Sequence, residues 1–189
     1  MKKLFFVTAI FLAIATTSFS QVFEKGSQAI NLGIGFGNTA YFGGGYSFFP
    51  SISASYEYAI VEVPMGSDLT GVVSVGGYFG WAGSKYAYDY WDDLSYHYNA
   101  VYFAARGNYH FIFHDKLDPY AGVWLGGKVL TGTWTGSGEH PDDWNAASGG
   151  FTGGVYVGCR YFFSDQWAVY SELGYLISVF NFGVTYKIK

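Results

Sequence analysis

An all-β chain, eight antiparallel strands wound up-and-down into a closed barrel, is the fold class that the sequence predicts, and three observations carry it. Apolar and polar residues alternate with a period of two through eight stretches of roughly ten residues each. The polar face of those stretches holds Gly, Ser, Asn and full charges, while the opposite face is aliphatic and aromatic. Long and short connections alternate between the stretches. A soluble sandwich or barrel buries its apolar face. Here the row that would line the interior is small and charged, which is the arrangement of a barrel whose apolar rows meet lipid. The expectation is a transmembrane β-barrel.

The first strand is predicted over residues 27–37, with Ile30, Leu32, Ile34 and Phe36 outward and Ala29, Asn31, Gly33 and Gly35 inward. A loop over 38–50 follows, then a second strand over 51–61. It sets Ile52, Ala54, Tyr56, Tyr58 and Ile60 against Ser51, Ser53, Ser55 and Glu57. Pro64 and Gly66 interrupt pairing in the connection 62–68. Strand three, 69–82, turns Val73, Val75 and Phe79 outward, and a loop spans 83–98. Strand four, 99–111, has Val101, Phe103, Ala105, Tyr109 and Phe111 outward, and Tyr102, Ala104, Arg106, Asn108 and His110 inward. After a turn at 112–118, strand five (119–130) places Ala121, Val123, Leu125 and Val129 out, with Tyr120, Trp124 and Lys128 in. A third long loop, 131–149, precedes three C-terminal strands. In the sixth, Val155, Val157, Cys159, Tyr161 and Phe163 oppose Thr152, Gly154, Tyr156, Gly158 and Arg160. In the seventh, Val169, Ser171, Leu173, Tyr175 and Ile177 oppose Tyr170, Glu172 and Gly174. The eighth sets Phe182, Val184, Tyr186 and Ile188 against Asn181, Gly183, Thr185 and Lys187.

Residues 1–20 read as a secretory signal, and 21–189 as one barrel domain. Lys2 and Lys3 precede an apolar core from Leu4 to Ala15, with Ser18 and Ser20 before Gln21. No later apolar run reaches the roughly 18 residues that a spanning helix needs, so a closed barrel is the remaining way to satisfy a backbone in lipid. Without Lys2 and Lys3, eight basic residues face fourteen acidic ones, a net charge of −6 that argues against a nucleic-acid partner. Cys159 is the only cysteine, on the outward row. Aromatics reach 22% and gather near strand ends. Phe111, Phe113, Phe162, Phe163 and Trp167 lie on the turn side, and Phe79, Trp81, Trp134, Phe151 and Phe180 on the loop side, as two interfacial girdles would. With long connections outside the cell and both termini inside, strand parity closes.

The run FFSDQWAVYSELGY, followed by NFGVTYK, resembles the penultimate turn, strand and closing strand of the small eight-stranded outer-membrane β-barrel family, in the OmpA/OmpX-like class and its Bacteroidetes-type versions. The resemblance covers the chain after the leader. It implies a bacterial outer-membrane address, contact with outer-membrane lipid and lipopolysaccharide, and insertion by the barrel assembly machinery. It also implies a monomer. The family's last strand often ends on an aromatic; here Ile188 stands in that place.

Two groups of residues carry candidate chemistry. Glu57, Arg106, Lys128, Arg160 and Glu172 fall on inward rows, and an eight-stranded barrel is only wide enough for its own side chains. They are expected to pair across the lumen as a structural plug, or else to form the switching gate of a narrow pore. The loops offer Tyr88, Tyr90, Trp91, Asp92 and Asp93, and then Trp134, Asp142, Asp143 and Trp144. Tyr and Trp mixed with polar partners is the composition of recognition surfaces. Acidic loop clusters attract divalent cations, but His97 and His140 with scattered Asp make no metal motif, and His110 and His114 lie on a strand and a turn rather than a helix. No GxSxG motif occurs, and Ser95 with His97 is the nearest approach to a Ser–His pair. No enzyme activity, metal or cofactor is expected. The function expected is structural or envelope-maintaining, with surface recognition through the outer loops; a narrow pore for ions or small solutes and a soluble lipocalin-like barrel are the alternatives.

Overall fold

The computed structural model describes residues 23–39, 46–48, 50–65, 70–87, 95–112, 114–135 and 147–188. The expected leader, 1–20, lies outside the described residues. Nine strands form one antiparallel sheet: β1 (Gln28–Asn38), β2 (Tyr46–Phe48), β3 (Ser51–Pro64), β4 (Thr70–Ala87), β5 (Ser95–Ile112), β6 (Leu117–Thr135), β7 (Ala147–Phe162), β8 (Trp167–Gly174) and β9 (Ser178–Lys187). The order is β2-β4-β3-β1-β9-β8-β7-β6-β5, and pairing of β4 with β5 closes the ring. Strand β2 continues the line of β3 along β4, since Phe48 pairs Ser84 and Ile52 pairs Trp81. The barrel therefore has eight staves. Among the described residues no helix is long and apolar enough to cross a membrane, a statement that leaves strands untouched.

The predicted faces hold. Ile30, Leu32, Ile34, Phe103, Val123, Leu125, Val155, Val157, Val169 and Val184 are exposed on the outer wall, whereas Asn31, Glu57, Arg106, Asn108, Arg160, Glu172, Asn181 and Thr185 are buried inside. That is the reverse of a soluble barrel, and the lipocalin-like alternative, which needs an apolar interior, is overturned by it. A shift in the ladder between Ala59 and Val61 turns both Ile60 and Val61 outward.

Strand lengths differ from expectation. β4, β5 and β6 run 18, 18 and 19 residues, and β7 begins at Ala147, so the second and third loops are shorter than the alternation suggested. Nineteen residues make roughly 60 Å of strand, longer, even at a tilt of about 40°, than an apolar band of ~25 Å. Past Val129 the outward row of β6 changes to exposed Thr131 and Thr133, and past Trp81 that of β4 changes to Gly83 and exposed Lys85. The wall made by β4 to β7 therefore stands clear of the apolar band, while β8, β9 and β1 stop low. Backbone pairing needs no apolar row, which is why the alternation ends before the strands do.

Two outward assignments are corrected. β8 ends at Gly174, and the chain then bends inward, so Ile177 is fully buried with Leu176 instead of facing out. Phe162 leaves the girdle: it is buried at the turn end beneath Lys187, whose Nζ lies 5.8 Å from its ring. Phe163 and Trp167 remain exposed there.

Inside, aromatic rings lie across glycines of the neighbouring strand. Tyr120 pairs Gly158, Tyr156 pairs Gly122, Trp124 pairs Gly154 and Tyr170 pairs Gly183. A Cβ on Gly158 would stand 2.4 Å from Tyr120 Cζ, while one on Gly150 would meet nothing within 4 Å. Gly158→Val is expected to displace the Tyr120 ring and destabilise the barrel by roughly 1–3 kcal/mol, with Gly150→Val close to neutral. Urea titration of the protein folded into lipid vesicles checks the contrast.

Candidate functional site

The lumen is filled in three tiers, and its inward charges come from five strands, β3, β5, β6, β7 and β8. At the turn end the chain before β1 makes a tight turn. Ser27 N–H donates to Glu24 O at 2.9 Å, with Gly26 at φ 93°, a conformation open to glycine. Gly26 N–H donates to Ala59 O, and Lys25 N–H to Glu62 Oε1 at 2.8 Å. This folds Phe23 back into the mouth of the barrel, 1% exposed. Its ring lies 4.6 Å from the His110 ring and 5.2 Å from Arg160 Cζ, against Ala29, Ala59, Val72 and Ile112.

Above it lies the charged tier. Glu57 on β3 is fully buried and its carboxylate is held from four other strands. Arg160 Nη2 on β7 and Asn31 Nδ2 on β1 (2.9 Å) donate to Oε1. Asn108 Nδ2 on β5 (3.0 Å) and Ser74 Oγ on β4 (3.1 Å) donate to Oε2. Arg160 Nη1 also stands 3.2 Å from Asp118 Oδ2 on β6. His110 joins the two carboxylates, with Nδ1 at 2.8 Å from Asp118 Oδ1 and Nε2 at 3.4 Å from Glu57 Oε2. A second pair lies higher: Arg106 Nη2 donates to Glu172 Oε1 at 2.5 Å, and Tyr120 Oη donates to the same oxygen at 2.8 Å. Arg106 Nε donates to Tyr156 Oη at 2.7 Å, and Tyr156 in turn donates to Asn108 Oδ1, which ties the two pairs together.

Ser74, His110 and Asp118 have the spacing of a nucleophile, base and acid, since Ser74 Oγ is 2.9 Å from His110 Nε2. The surroundings give them a different task. Glu57 takes the Ser74 hydroxyl hydrogen, both ring nitrogens face carboxylates, and all three side chains are fully buried. The chemistry available is charge pairing: two guanidinium groups and an imidazole stand among three carboxylates in a buried interior.

The third tier is apolar. Leu176 and Ile177 drop into the loop end of the lumen among Tyr78, Tyr102, Trp124 and Tyr156. Trp124 Nε1–H donates to Tyr175 O at 2.5 Å, Thr39 N–H to Ile177 O at 3.0 Å, and Thr39 Oγ1 to Leu176 O.

Of the inward charges read from the sequence, the structure places Glu57 beside Arg160 and Glu172 beside Arg106. Lys128 does not join them. It shares the inward row but pairs in the ladder with Tyr102 and Gly150, above the network, and makes no ion pair with another described residue. Asp118, taken for a turn residue, and His110 were missed as members. The inward parity that Asp118 shares with Tyr120 and Trp124 was the available signal. Tyr88, Tyr90, Trp91, Asp92, Asp93, Asp142, Asp143 and Trp144 lie outside the described residues, as does the side chain of Trp134.

No family model and no curated protein matches the chain. Among solved structures, the attachment invasion locus protein Ail of Yersinia pestis, in complex with the heparin analogue sucrose octasulfate, is similar at a TM-score of 0.52 and 11% identity, over 87% of this chain and 100% of that one. The N-terminal β-barrel domain of Pseudomonas aeruginosa OprF gives 0.44 and 15%, over 87% and 98%. At such identities the likeness to Ail is one of fold. The fold is a closed, eight-stranded, all-antiparallel β-barrel.

Removing one member of a buried ion pair strands the other. Arg160→Met is expected to cost about 3–5 kcal/mol, and Glu57→Gln to cost less when made in the Arg160→Met background than alone. A double-mutant cycle from urea unfolding in vesicles measures that coupling.

Proposed function

We propose that this chain is a bacterial outer-membrane β-barrel with a structural role in the envelope and a recognition role at its outer rim, and without catalytic activity. One observation carries the reading: the apolar rows face out around the barrel while a network of paired ions fills its axis. In a water-soluble protein that wall would be an exposed apolar patch far beyond what monomers tolerate. Lipid removes the difficulty. The OmpA/OmpX-like class supplies the analogy, and fold likeness to a protein named for attachment and invasion supports a role at the surface. On this reading residues 1–20 direct export, the assembly machinery inserts the chain, and the barrel sits as a monomer among lipid and lipopolysaccharide.

The narrow-pore alternative has three filled tiers in its way, at Phe23, at the Glu57 and Glu172 networks, and at Leu176 with Ile177. Two measurements test the reading. The protein in the outer-membrane fraction is expected to migrate as a compact species until boiled; recovery from the soluble periplasm would remove the membrane address. In planar bilayers no steady conductance is expected, and steady openings altered by Arg106→Ala would replace the plug with a pore.

A further inference from the structure

The hydrogen bonds around the buried His110 ring leave one proton to be placed. Nδ1 stands 2.8 Å from Asp118 Oδ1, and an ionised carboxylate can only accept, so Nδ1 donates. Nε2 stands 2.9 Å from Ser74 Oγ. That hydroxyl has a single hydrogen, which goes to Glu57 Oε2 at 3.1 Å, and it already accepts from Asn108 Nδ2 at 3.2 Å. What it turns toward Nε2 is a lone pair, so Nε2 donates as well. An imidazole that donates from both nitrogens is the imidazolium. Glu57 has no room for the proton: Arg160 and Asn31 donate to Oε1, Asn108 and Ser74 to Oε2, one donor for each lone-pair site.

A count of charge arrives at the same place by another route. Arg106 is matched by Glu172, while Arg160 stands against both Glu57 and Asp118. With a neutral His110 this lower group holds one carboxylate more than it has cations, and an unpaired buried charge is costly. The charged and titratable groups around the ring come from three strands. Glu57 on β3 and Asp118 on β6 favour a cation there, and Arg160 on β7, over the same Phe23 and Tyr120 rings, opposes it. Tyr120, its ring 5.3 Å from the imidazole, sends its hydroxyl to Glu172. β4 and the chain before β1 present Ser74 and Phe23, which carry no charge. We propose that the barrel holds a proton as one of its parts: His110 stands in the folded lumen as imidazolium, the third cation among three carboxylates, and closing the staves around it takes that proton up. Below the ordinary histidine range near about pH 6.5, folded and unfolded chains both carry the proton. Above it the unfolded chain has released it, and each further pH unit makes folding up to about tenfold less favourable. The site lies in the interior and goes beyond the envelope role.

The test uses the full chain, folded into lipid vesicles with isotope-labelled histidine, and solid-state NMR of the ring nitrogens at about pH 7.5, above that range. His110→Gln identifies the His110 signals by removing them. Both nitrogens are expected to carry a hydrogen, and one bare ring nitrogen overturns the proposal. Urea titrations from about pH 6.5 to about pH 8.5 give the second reading. The folding constant is expected to fall more steeply with pH in the wild-type chain than in His110→Gln, by up to about tenfold per unit. A neutral histidine that only packs would leave the two slopes alike, and equal slopes overturn the proposal. Should His110→Gln fail to fold, Asp118→Asn serves in its place. With two carboxylates left for two guanidinium groups, its His110 ring is expected to lose one hydrogen at about pH 7.5. A ring still doubly protonated in that variant overturns the charge count.

Discussion

The β4–β5 ladder completes the ring of eight staves and sets the terms for everything inside; on the proposed membrane reading closure is also what satisfies the backbone, since hydrocarbon offers no water to an unpaired N–H. With only eight staves the interior has room for side chains and little else. Residues on the inward rows of different staves are brought within reach of one another. Tyrosines therefore lie over glycines, and a carboxylate such as Glu57 is reached from β1, β4, β5 and β7 at once. The polar interior is a consequence of closure as much as of sequence: a charged residue kept off the apolar outer wall has only the axis to occupy.

Buried ion pairs are weak contributors to stability when compared with well-packed apolar groups, but breaking one is costly. That asymmetry suits a barrel in which the alternative to pairing is a charge left alone in the lumen or placed on an apolar outer wall. Arg160 links β7 to β3 and β6, Arg106 links β5 to β8, and Asn108 with Tyr156 joins the two groups. A strand that slipped by one residue would turn its members of this network onto the apolar outer wall. The network thus acts against wrong registers more than for the right one.

The faces of the staves were legible because outer wall and lumen carry opposite residue types at alternate positions, and the inward placement of Glu57, Arg106, Arg160 and Glu172 was read from parity. Depth along the axis was not legible. Lys128 has the parity of the network but lies two steps of its row beyond Trp124, outside the network's reach. Asp118 sits in HDKLDP, a run that reads as a turn, yet the turn is tight, with His114 bridging to Leu117, and β6 has begun before Asp118 is reached. Leu176 and Ile177 defeat the alternation for another reason: an apolar residue looks the same whether it is to meet lipid or to stopper the lumen. Phe23 lies ahead of the first periodic stretch, where there is no pattern to extend.

The stopper at the loop end and the early end of β8 beside β7 are one event seen from two sides. When the chain leaves β8 at Gly174 and bends inward, Leu176 and Ile177 close the lumen, held by Thr39 and Trp124. The same bend withdraws the strand that would have continued beside residues 147–155. A hairpin that rose to the height of β6 would have paired with those residues and left the mouth unfilled. By turning inward instead, the chain exchanges backbone pairing on the outer wall for apolar packing at the axis. The barrel that results is packed at its axis by Leu176 and Ile177, with β7 rising beyond the end of β8 among the described residues.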